Sequence, residues 1–345
     1  MLLDTLIALP VLLDLGLLYQ IWKERDFFKN FGSFHAFASV IVPVKGIDNG
    51  LEDNVKSLLS QEYPDPYEVI YVVEEDDPVQ EVLKKFNVKV VKAEDLCDKC
   101  SGKIRAQLTG LKYAKGNVIV FADSDTRFHR NWLRELVAPL GAYMASTTFS
   151  IAKPARLTLN NVLRAGFWTL GFESQALGGT FLWGGSMAFK REFFDEEVIK
   201  ELSREWCDDC TLTRIVKRRG GKIALVGRAE PLNVYDEKDL WKWAERQVIT
   251  VRVYSRRGAK AFLLIGAYFV LLLALLFVTL SLVYVSPYFL WIVKNLLRTR
   301  RREALLPSIA SVPGVVFAWL VLIASWRKKE VVWRGRVYQI TPSSP

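Results

Sequence analysis

Three features of the chain predict a doubly wound α/β sheet with transmembrane helices at its N- and C-terminal ends. Strands alternate with helices from about Ala38 to Phe121, acidic residues collect where those strands end, and apolar runs lie at both ends of the chain. The stretch Asn117 to Asp125, NVIVFADSD, holds the key residues. Val118 to Phe121 is a continuous apolar run rich in β-branched residues, as expected of a strand buried on both faces. It stops at Asp123-Ser124-Asp125. If the backbone stays extended, the two carboxylates point to one side. Their repulsion needs an offset, and Mg²⁺ or Mn²⁺ with a bound phosphate supplies one. A solvated loop after a core strand is the plainer alternative.

The chain has 345 residues, 51% hydrophobic and 12% aromatic, with a net charge of +10. Its basic clusters, Arg246 to Lys260, Lys294 to Arg302 and Arg327 to Arg336, flank apolar runs. That favours a membrane surface or an anionic substrate as partner and argues against nucleic acid. Abundant Lys and Glu with few Asn, Gln and His suggest a heat-adapted source.

Leu2 to Trp22 is mostly Leu, Ile and Val, interrupted by Asp4, Pro10 and Asp14. It is long enough to cross a bilayer and lacks the ends of a signal peptide. Residues 1–22 therefore read as an uncleaved anchor, with Lys23, Arg25 and Lys29 on the cytoplasmic side. A helix lying in the interface is the alternative.

The elements then follow in order. Ser39 to Val44 is a strand ending at Lys45-Gly46, and Leu51 to Gln61 has helical spacing. Glu68 to Val73 is a strand ending in Glu74, Glu75, Asp76 and Asp77. Val79 to Phe86 is a helix, Val88 to Val91 a strand, Gly102 to Lys115 a helix, and Val118 to Phe121 the closing strand. Ligands of such sheets bind beyond the carboxyl ends of the strands, where Lys45, Glu74 to Asp77, Asp123 and Asp125 all fall. Ser101-Gly102-Lys103 is not a Walker loop, because Cys97 stands where glycine is needed and Ile104 replaces Ser/Thr. Lys103 at a helix start is either a phosphate contact or a surface lysine.

Taken together, Val40-Ile41-Val42-Pro43-Val44-Lys45-Gly46, Tyr67-Glu68-Val69, Asp76-Asp77-Pro78, Phe121-Ala122-Asp123-Ser124-Asp125 and Trp183-Gly184-Gly185-Ser186-Met187 resemble the ceramide glucosyltransferase branch of the family-2 inverting glycosyltransferases. The likeness covers residues 38–260, read as the cytoplasmic catalytic domain. It implies a GT-A fold, a nucleotide-sugar donor with UDP and glucose favoured, a lipid acceptor, and Mn²⁺ or Mg²⁺ at Asp123 and Asp125. It also implies a nucleobase site at Asp77, with Glu74 and Glu75 as competitors. Pro43, Lys45, Lys103, Asp123 and Gly185 join the donor-binding candidates.

In the resembling family an acidic pair opens the helix that supplies the general base. Asp209 takes that position, with Asp208 before it; helix capping is the plainer role for both. The family's Q/R-x-x-R-W motif is incomplete here: Arg246 fits, while Ile249 and Thr250 replace Arg and Trp, and Arg252 is the candidate for the missing charge. Both arginines have the alternative of facing anionic lipid. The departure counts against a processive polysaccharide synthase, and a non-catalytic nucleotide-binding membrane scaffold is the alternative from another class.

Leu163 to Trp183, rich in Phe, Trp, Leu and Gly, suits either an interfacial helix or plain core. Cys97, Cys100, Cys207 and Cys210 form two C-x-x-C pairs, which suggests a structural Zn²⁺ joining two elements; disulfides and free thiols are the rivals. Ala261 to Val293 is uncharged, longer than one span and short for two, and basic residues at both ends favour a hairpin. Ala304 to Trp326 is broken by Pro307 and Pro313-Gly314. Residues 261–326 are thus a transmembrane region and 327–345 a basic tail, whose Trp333-Arg334-Gly335-Arg336 reaches the active site only if it is cytoplasmic.

Overall fold

The computed structural model describes residues 2–339 apart from 98, 177–179, 300 and 334–335. Arg334 and Gly335 of the tail motif lie outside the described residues. In chain order the first elements are α1 (Leu2–Glu24), β1 (Ala38–Pro43), α2 (Leu51–Leu59), β2 (Tyr67–Val73), α3 (Val79–Leu83), β3 (Lys89–Lys92), α4 (Gly102–Tyr113), β4 (Val118–Ala122) and β5 (Thr126–Arg127). Then come α5 (Trp132–Val137), β6 (Ala145–Thr147), β7 (Ile151–Pro154), α6 (Leu159–Ala176), β8 (Ser186–Lys190), α7 (Glu196–Leu202), α8 (Asp208–Arg218), β9 (Ile223–Leu225) and β10 (Leu232–Tyr235). The rest are α9 (Leu240–Tyr254), α10 (Arg256–Thr279), α11 (Ser286–Leu297), α12 (Leu305–Ala324) and the hairpin strands β11 (Glu330–Trp333) and β12 (Arg336–Gln339).

The chain forms two units. One comprises residues 26–150 and 179–234 and is built on a seven-stranded sheet of order β3-β2-β1-β4-β8-β6-β9. β1 pairs in parallel with β2 and β4, placing Val40 opposite Val69 and Val120. The apolar runs are continuous because both faces are covered. Val40, Val42, Val69, Tyr71, Val118 and Val120 pack with Leu51, Val55 and Leu58 of α2 and Trp132 of α5. The alternate residues Ile41, Ile70, Ile119 and Phe121 pack with Ile104 and Leu108 of α4 and Leu212 and Ile215 of α8. Strands β6 and β8, which the alternation from Ala38 to Phe121 does not reveal, extend the sheet; β8 pairs antiparallel with both β4 and β6, with Phe121 opposite Met187.

The other unit comprises residues 1–25, 151–178 and 235–345. Residues 151–178 and 235–260, expected inside the soluble domain, belong here with the apolar helices. α10 and the segment Arg302–Ala324 are both long and apolar enough to cross a membrane. α10 leaves Leu264, Phe277 and Val278 more than two-thirds exposed, as a lipid-facing helix would. α10 ends at Leu280, which takes the left-handed conformation (φ 53°), and α11 follows with 12 residues, so the uncharged run is one long and one short helix. Pro307 and Pro313 do not break α12, which is continuous with Pro313 inside it. Pro307 falls in the first turn, where its missing N–H has no helical partner to lose.

α12 packs on α6 at backbone distance. A Cβ on Gly166 would fall 1.9 Å from the Ala310 carbonyl oxygen, and one on Gly314 would fall 2.3 Å from the Gly166 carbonyl carbon. Small residues allow this approach between apolar helices. The Lys294 and Arg298 side chains, expected at a basic flank, are instead buried. Arg298 makes a two-pronged pair with Glu24 of α1 at 2.6 and 2.8 Å and reaches Glu173 of α6 at 2.8 Å. Lys294 pairs with the same Glu173. Two cations and two carboxylates thereby cancel where none would be stable alone.

Candidate active site

The carboxyl ends of the parallel strands β1, β2 and β4 bring the acidic residues to one edge of the sheet. At the end of β4 burial alternates: Ser124 and Thr126 are buried, while Asp123 and Asp125 are partly exposed. The chain turns at Ser124-Asp125 rather than staying extended, and Asp125 still lies close enough to Asp123 to raise its carboxyl. Ser124 is pinned from below, its hydroxyl 2.5 Å from Asp48 Oδ2 and its carbonyl accepting from Asn54 Nδ2 at 2.8 Å. The Asp125 carbonyl accepts from the Val234 N–H at 3.2 Å.

Lys103 lies among the carboxylates. Its Nζ is 2.8 Å from Asp123 Oδ1 and 3.3 Å from Asp208 Oδ2, and it donates to the Gly184 carbonyl at 3.2 Å. Burial works against the charge, but Asp123, Asp208 and Asp209 outweigh it and hold the ammonium well above the ordinary lysine range. The surface-lysine reading is thereby excluded: Lys103 is 16% exposed. The Asp123 carboxyl is raised by burial and drawn back by Lys103, with Asp125 adding to the rise.

The acidic pair opening α8 divides in two. Asp208 is buried, and its Oδ2 takes Gln107 Nε2 at 2.7 Å as well as Lys103. Asp209 is the more open of the two; its Oδ2 accepts from the Gly184 N–H at 2.9 Å and its Oδ1 from the Cys210 N–H at 2.8 Å. Burial pushes its carboxyl up to about 7, with Asp208 adding to the rise and Lys103 opposing it.

Gln107 is the residue that sequence reasoning missed; Gly184 stands in the pair Gly184-Gly185, which lets backbone approach a ligand or merely forms a turn. Gly184 touches Lys103 through its carbonyl and Asp209 through its N–H, and a Cβ there would sit 2.7 Å from Lys103 Nζ and 2.9 Å from Asp208 Oδ2. Gln107 follows Lys103 by one helical turn on α4, a spacing that places the two on the same face. Gly185, which was a candidate, has a packing reason to be glycine: a Cβ would enter the Trp183 ring. Its carbonyl also accepts from the Asp123 N–H at 3.3 Å, joining the glycine turn to the end of β4.

Other candidates fall differently. Asp77 accepts from the Gly46 N–H at 2.7 Å and the Val79 N–H at 2.9 Å, tying the end of β2 to the end of β1. Pro43 ends β1, and Lys45 is exposed just beyond it. Glu74 is held by Arg105 through two bonds of 2.6 and 2.7 Å. Arg246 and Arg252 lie on α9, in the helical unit. Arg252 is committed elsewhere: its guanidinium donates to the carbonyls of Ser325, Trp326 and Lys328 just after α12, as a cation at a helix C-terminus does.

The four-cysteine zinc site is corrected. The structure joins Cys97 to Cys100 and Cys207 to Cys210, with Cα–Cα separations of 5.8 and 5.5 Å. The two segments meet through backbone, Ser101 N–H donating to the Glu205 carbonyl at 3.2 Å, but each sulfur is bonded to its own neighbour, so no set of four thiolates is present.

Asp123 and Asp125 fit a hard divalent cation. Among the described residues each keeps carboxylate oxygen free of protein donors, since Lys103 takes one oxygen of Asp123 and the Thr126 hydroxyl lies 3.3 Å from one oxygen of Asp125. A wound sheet with such an edge, a largely covered lysine and a carboxylate beside it can hold a cation and an anionic ligand together.

The chain belongs to glycosyl transferase family 21, whose model matches residues 7–344. Its wound seven-stranded sheet is of the α/β class that the sequence predicted. Glycosyltransferase AglE of Haloferax volcanii is 30% identical over 107 residues, 30% of this chain and 35% of that protein, so the match spans about a third of that relative's length. Among solved structures, the mannosyltransferase PcManGT of Pyrobaculum calidifontis, in complex with GDP-Man and Mn²⁺, shares 16% identity over 93% of this chain and 97% of that one, with a TM-score of 0.49. The glucosyl-3-phosphoglycerate synthase of Mycobacterium tuberculosis, in complex with Mn²⁺, UDP and phosphoglyceric acid, shares 19% identity over 64% and 78%, with a TM-score of 0.43.

Proposed function

We propose that this protein is a membrane-bound, metal-dependent, inverting glycosyltransferase that moves a hexose from a nucleotide-sugar to a lipid acceptor. The observation that carries this reading is the bridge made by Lys103, which ties the Asp123 strand end to the first turn of α8. Asp123 and Asp125 hold the divalent cation, and when bound it neutralises charge on the donor's diphosphate. Lys103 adds a fixed positive charge on the same side, in a site where solvent screens it weakly. Asp77 orients the nucleobase. Asp209 takes the proton from the acceptor hydroxyl as that oxygen attacks the anomeric carbon, and attack from the face opposite the leaving diphosphate inverts the configuration. Asp208, fixed by Gln107 and Lys103, orients the turn that carries Asp209. The apolar helices α10 and α12 anchor the enzyme in the bilayer where a lipid acceptor resides.

The test is a panel of nucleotide-sugars with Mn²⁺ and lipid extracts, read by release of nucleoside diphosphate from detergent-solubilised protein. Asp209→Asn is expected to cut turnover by about 10²- to 10⁴-fold while keeping Mn²⁺-dependent nucleotide binding. A variant that turns over like the wild type removes Asp209 as base, and a protein that binds nucleotide but transfers nothing from any donor is the scaffold of the alternative reading.

A further inference from the structure

Asp209 is flanked by sulfur. Cys207 is the N-cap residue of α8 and Cys210 lies in its first turn, so the helix start brings both sulfurs to the Asp209 carboxylate. Asp209 Oδ1 is 3.1 Å from Cys207 Sγ and 3.5 Å from Cys210 Sγ, and one ligand atom from each residue lies within 4.8 Å of the other two. Thiolate and carboxylate bonds of about 2.3 and 2.1 Å to a tetrahedral Zn²⁺ put their donor atoms about 3.6 Å apart, so these contacts are close to ligand spacing.

We propose that the reduced Cys207 and Cys210 pair, together with Asp209, binds a thiophilic divalent cation of the zinc class, and that the bound cation switches the transferase off by occupying Asp209. The switching half rests on the general-base role given to Asp209 above; the binding half does not. Reduction by a dithiol breaks the S–S bond: two electrons and two protons yield two thiols, and the reductant leaves as its own disulfide. The cation then displaces the two thiol protons and takes two thiolates and one carboxylate oxygen, leaving the fourth position to water. Ligand chemistry keeps this site apart from Asp123 and Asp125, because sulfur selects zinc while an all-oxygen set suits Mn²⁺ or Mg²⁺.

The experiment uses full-length protein in detergent, reduced with a phosphine under anaerobic conditions, with thiols counted, and Co²⁺ as the optical probe. The reduced wild type is expected to show a thiolate-to-cobalt charge-transfer band, absent from the unreduced protein. The band disappears in Cys207→Ser/Cys210→Ser and persists in Cys97→Ser/Cys100→Ser. Asp209→Asn keeps the band but binds Co²⁺ about tenfold more weakly. With Mn²⁺ and donor saturating, Zn²⁺ lowers turnover of the reduced wild type by about a hundredfold and leaves the ratio with and without Zn²⁺ near one in Cys207→Ser/Cys210→Ser. A pair that cannot be reduced in the native protein, a reduced protein with no band, or a band lost equally in Cys97→Ser/Cys100→Ser overturns the proposal. A band without inhibition overturns the switch, while the turnover of Asp209→Asn without Zn²⁺ judges the base role by itself.

Discussion

Replacing Lys103 with methionine removes the cation shared by the acidic edge and keeps most of the side-chain volume. At 2.8 Å from Asp123, an effective dielectric of about 20 gives an attraction of about 6 kcal/mol. The Asp123 side chain is 31% exposed, so solvent screens part of that, and the Asp208 contact at 3.3 Å adds to it. Breaking a buried pair by removing one partner costs about 3–5 kcal/mol, and the exposure reduces this to about 2–3 kcal/mol. The metal-free variant is therefore expected to melt about 5–10 °C below the wild type. Mn²⁺ then has more to offer the variant, because it meets uncompensated carboxylates, whereas in the wild type it competes with Lys103 for Asp123. Thermal unfolding in detergent with and without Mn²⁺ is the assay, and the Mn²⁺-induced rise should be larger in Lys103→Met. Equal melting of the two metal-free proteins, or equal rises with Mn²⁺, would refute the idea that Lys103 is the counter-ion of this edge.

Three further outcomes are expected. The Asp209 carboxyl sits near 7 in the folded protein and near 3.9 in an unfolded chain, so the folded state alone holds this proton between those values. Metal-free stability should therefore fall as pH rises from about 4 to about 7, and turnover should rise through about 7 and level off above it; Asp209→Asn removes the stability slope in urea titrations. Gly184→Ala forces Lys103 or Asp208 aside, costing about 1–3 kcal/mol, and steady-state kinetics should show a loss in kcat out of proportion to the change in melting. Gly166→Ala meets the Ala310 backbone of α12, which cannot swing away as a side chain tip can, so the helical unit should lose about 1–3 kcal/mol in detergent melts.

The sheet was legible because its strands are buried on both faces, which leaves an uninterrupted apolar signature in β1, β2 and β4. Strands β6 and β8 were not, because Ala145–Thr147 is only three residues and Ser186–Lys190 follows a glycine turn that masks its start. Asp123 and Asp125 stood out as carboxylates at a strand end, and Asp208 and Asp209 through the resemblance, as an acidic pair opening a helix. Their partners could not: Lys103 reaches Asp208 across 105 positions and Gly184 across 81, and only folding reports such pairs. The contacts of Arg252 were hidden for a related reason, since its partners are backbone carbonyls near residue 325 and leave no mark in residue identity. The buried pairing of Lys294 and Arg298 with Glu24 and Glu173 was hidden in the same way, in charges that local spacing assigns to a membrane flank.

The most direct measurement is Mn²⁺ binding followed by electron paramagnetic resonance, with and without nucleoside diphosphate, on the wild type and on Asp125→Asn. The wild type should take up one Mn²⁺ at this edge, more tightly once the diphosphate is present, and Asp125→Asn should lose most of that affinity while remaining folded. An Asp125→Asn protein that binds Mn²⁺ like the wild type, or a wild type whose Mn²⁺ binding ignores the diphosphate, would contradict the assignment of this strand end as the donor's metal site.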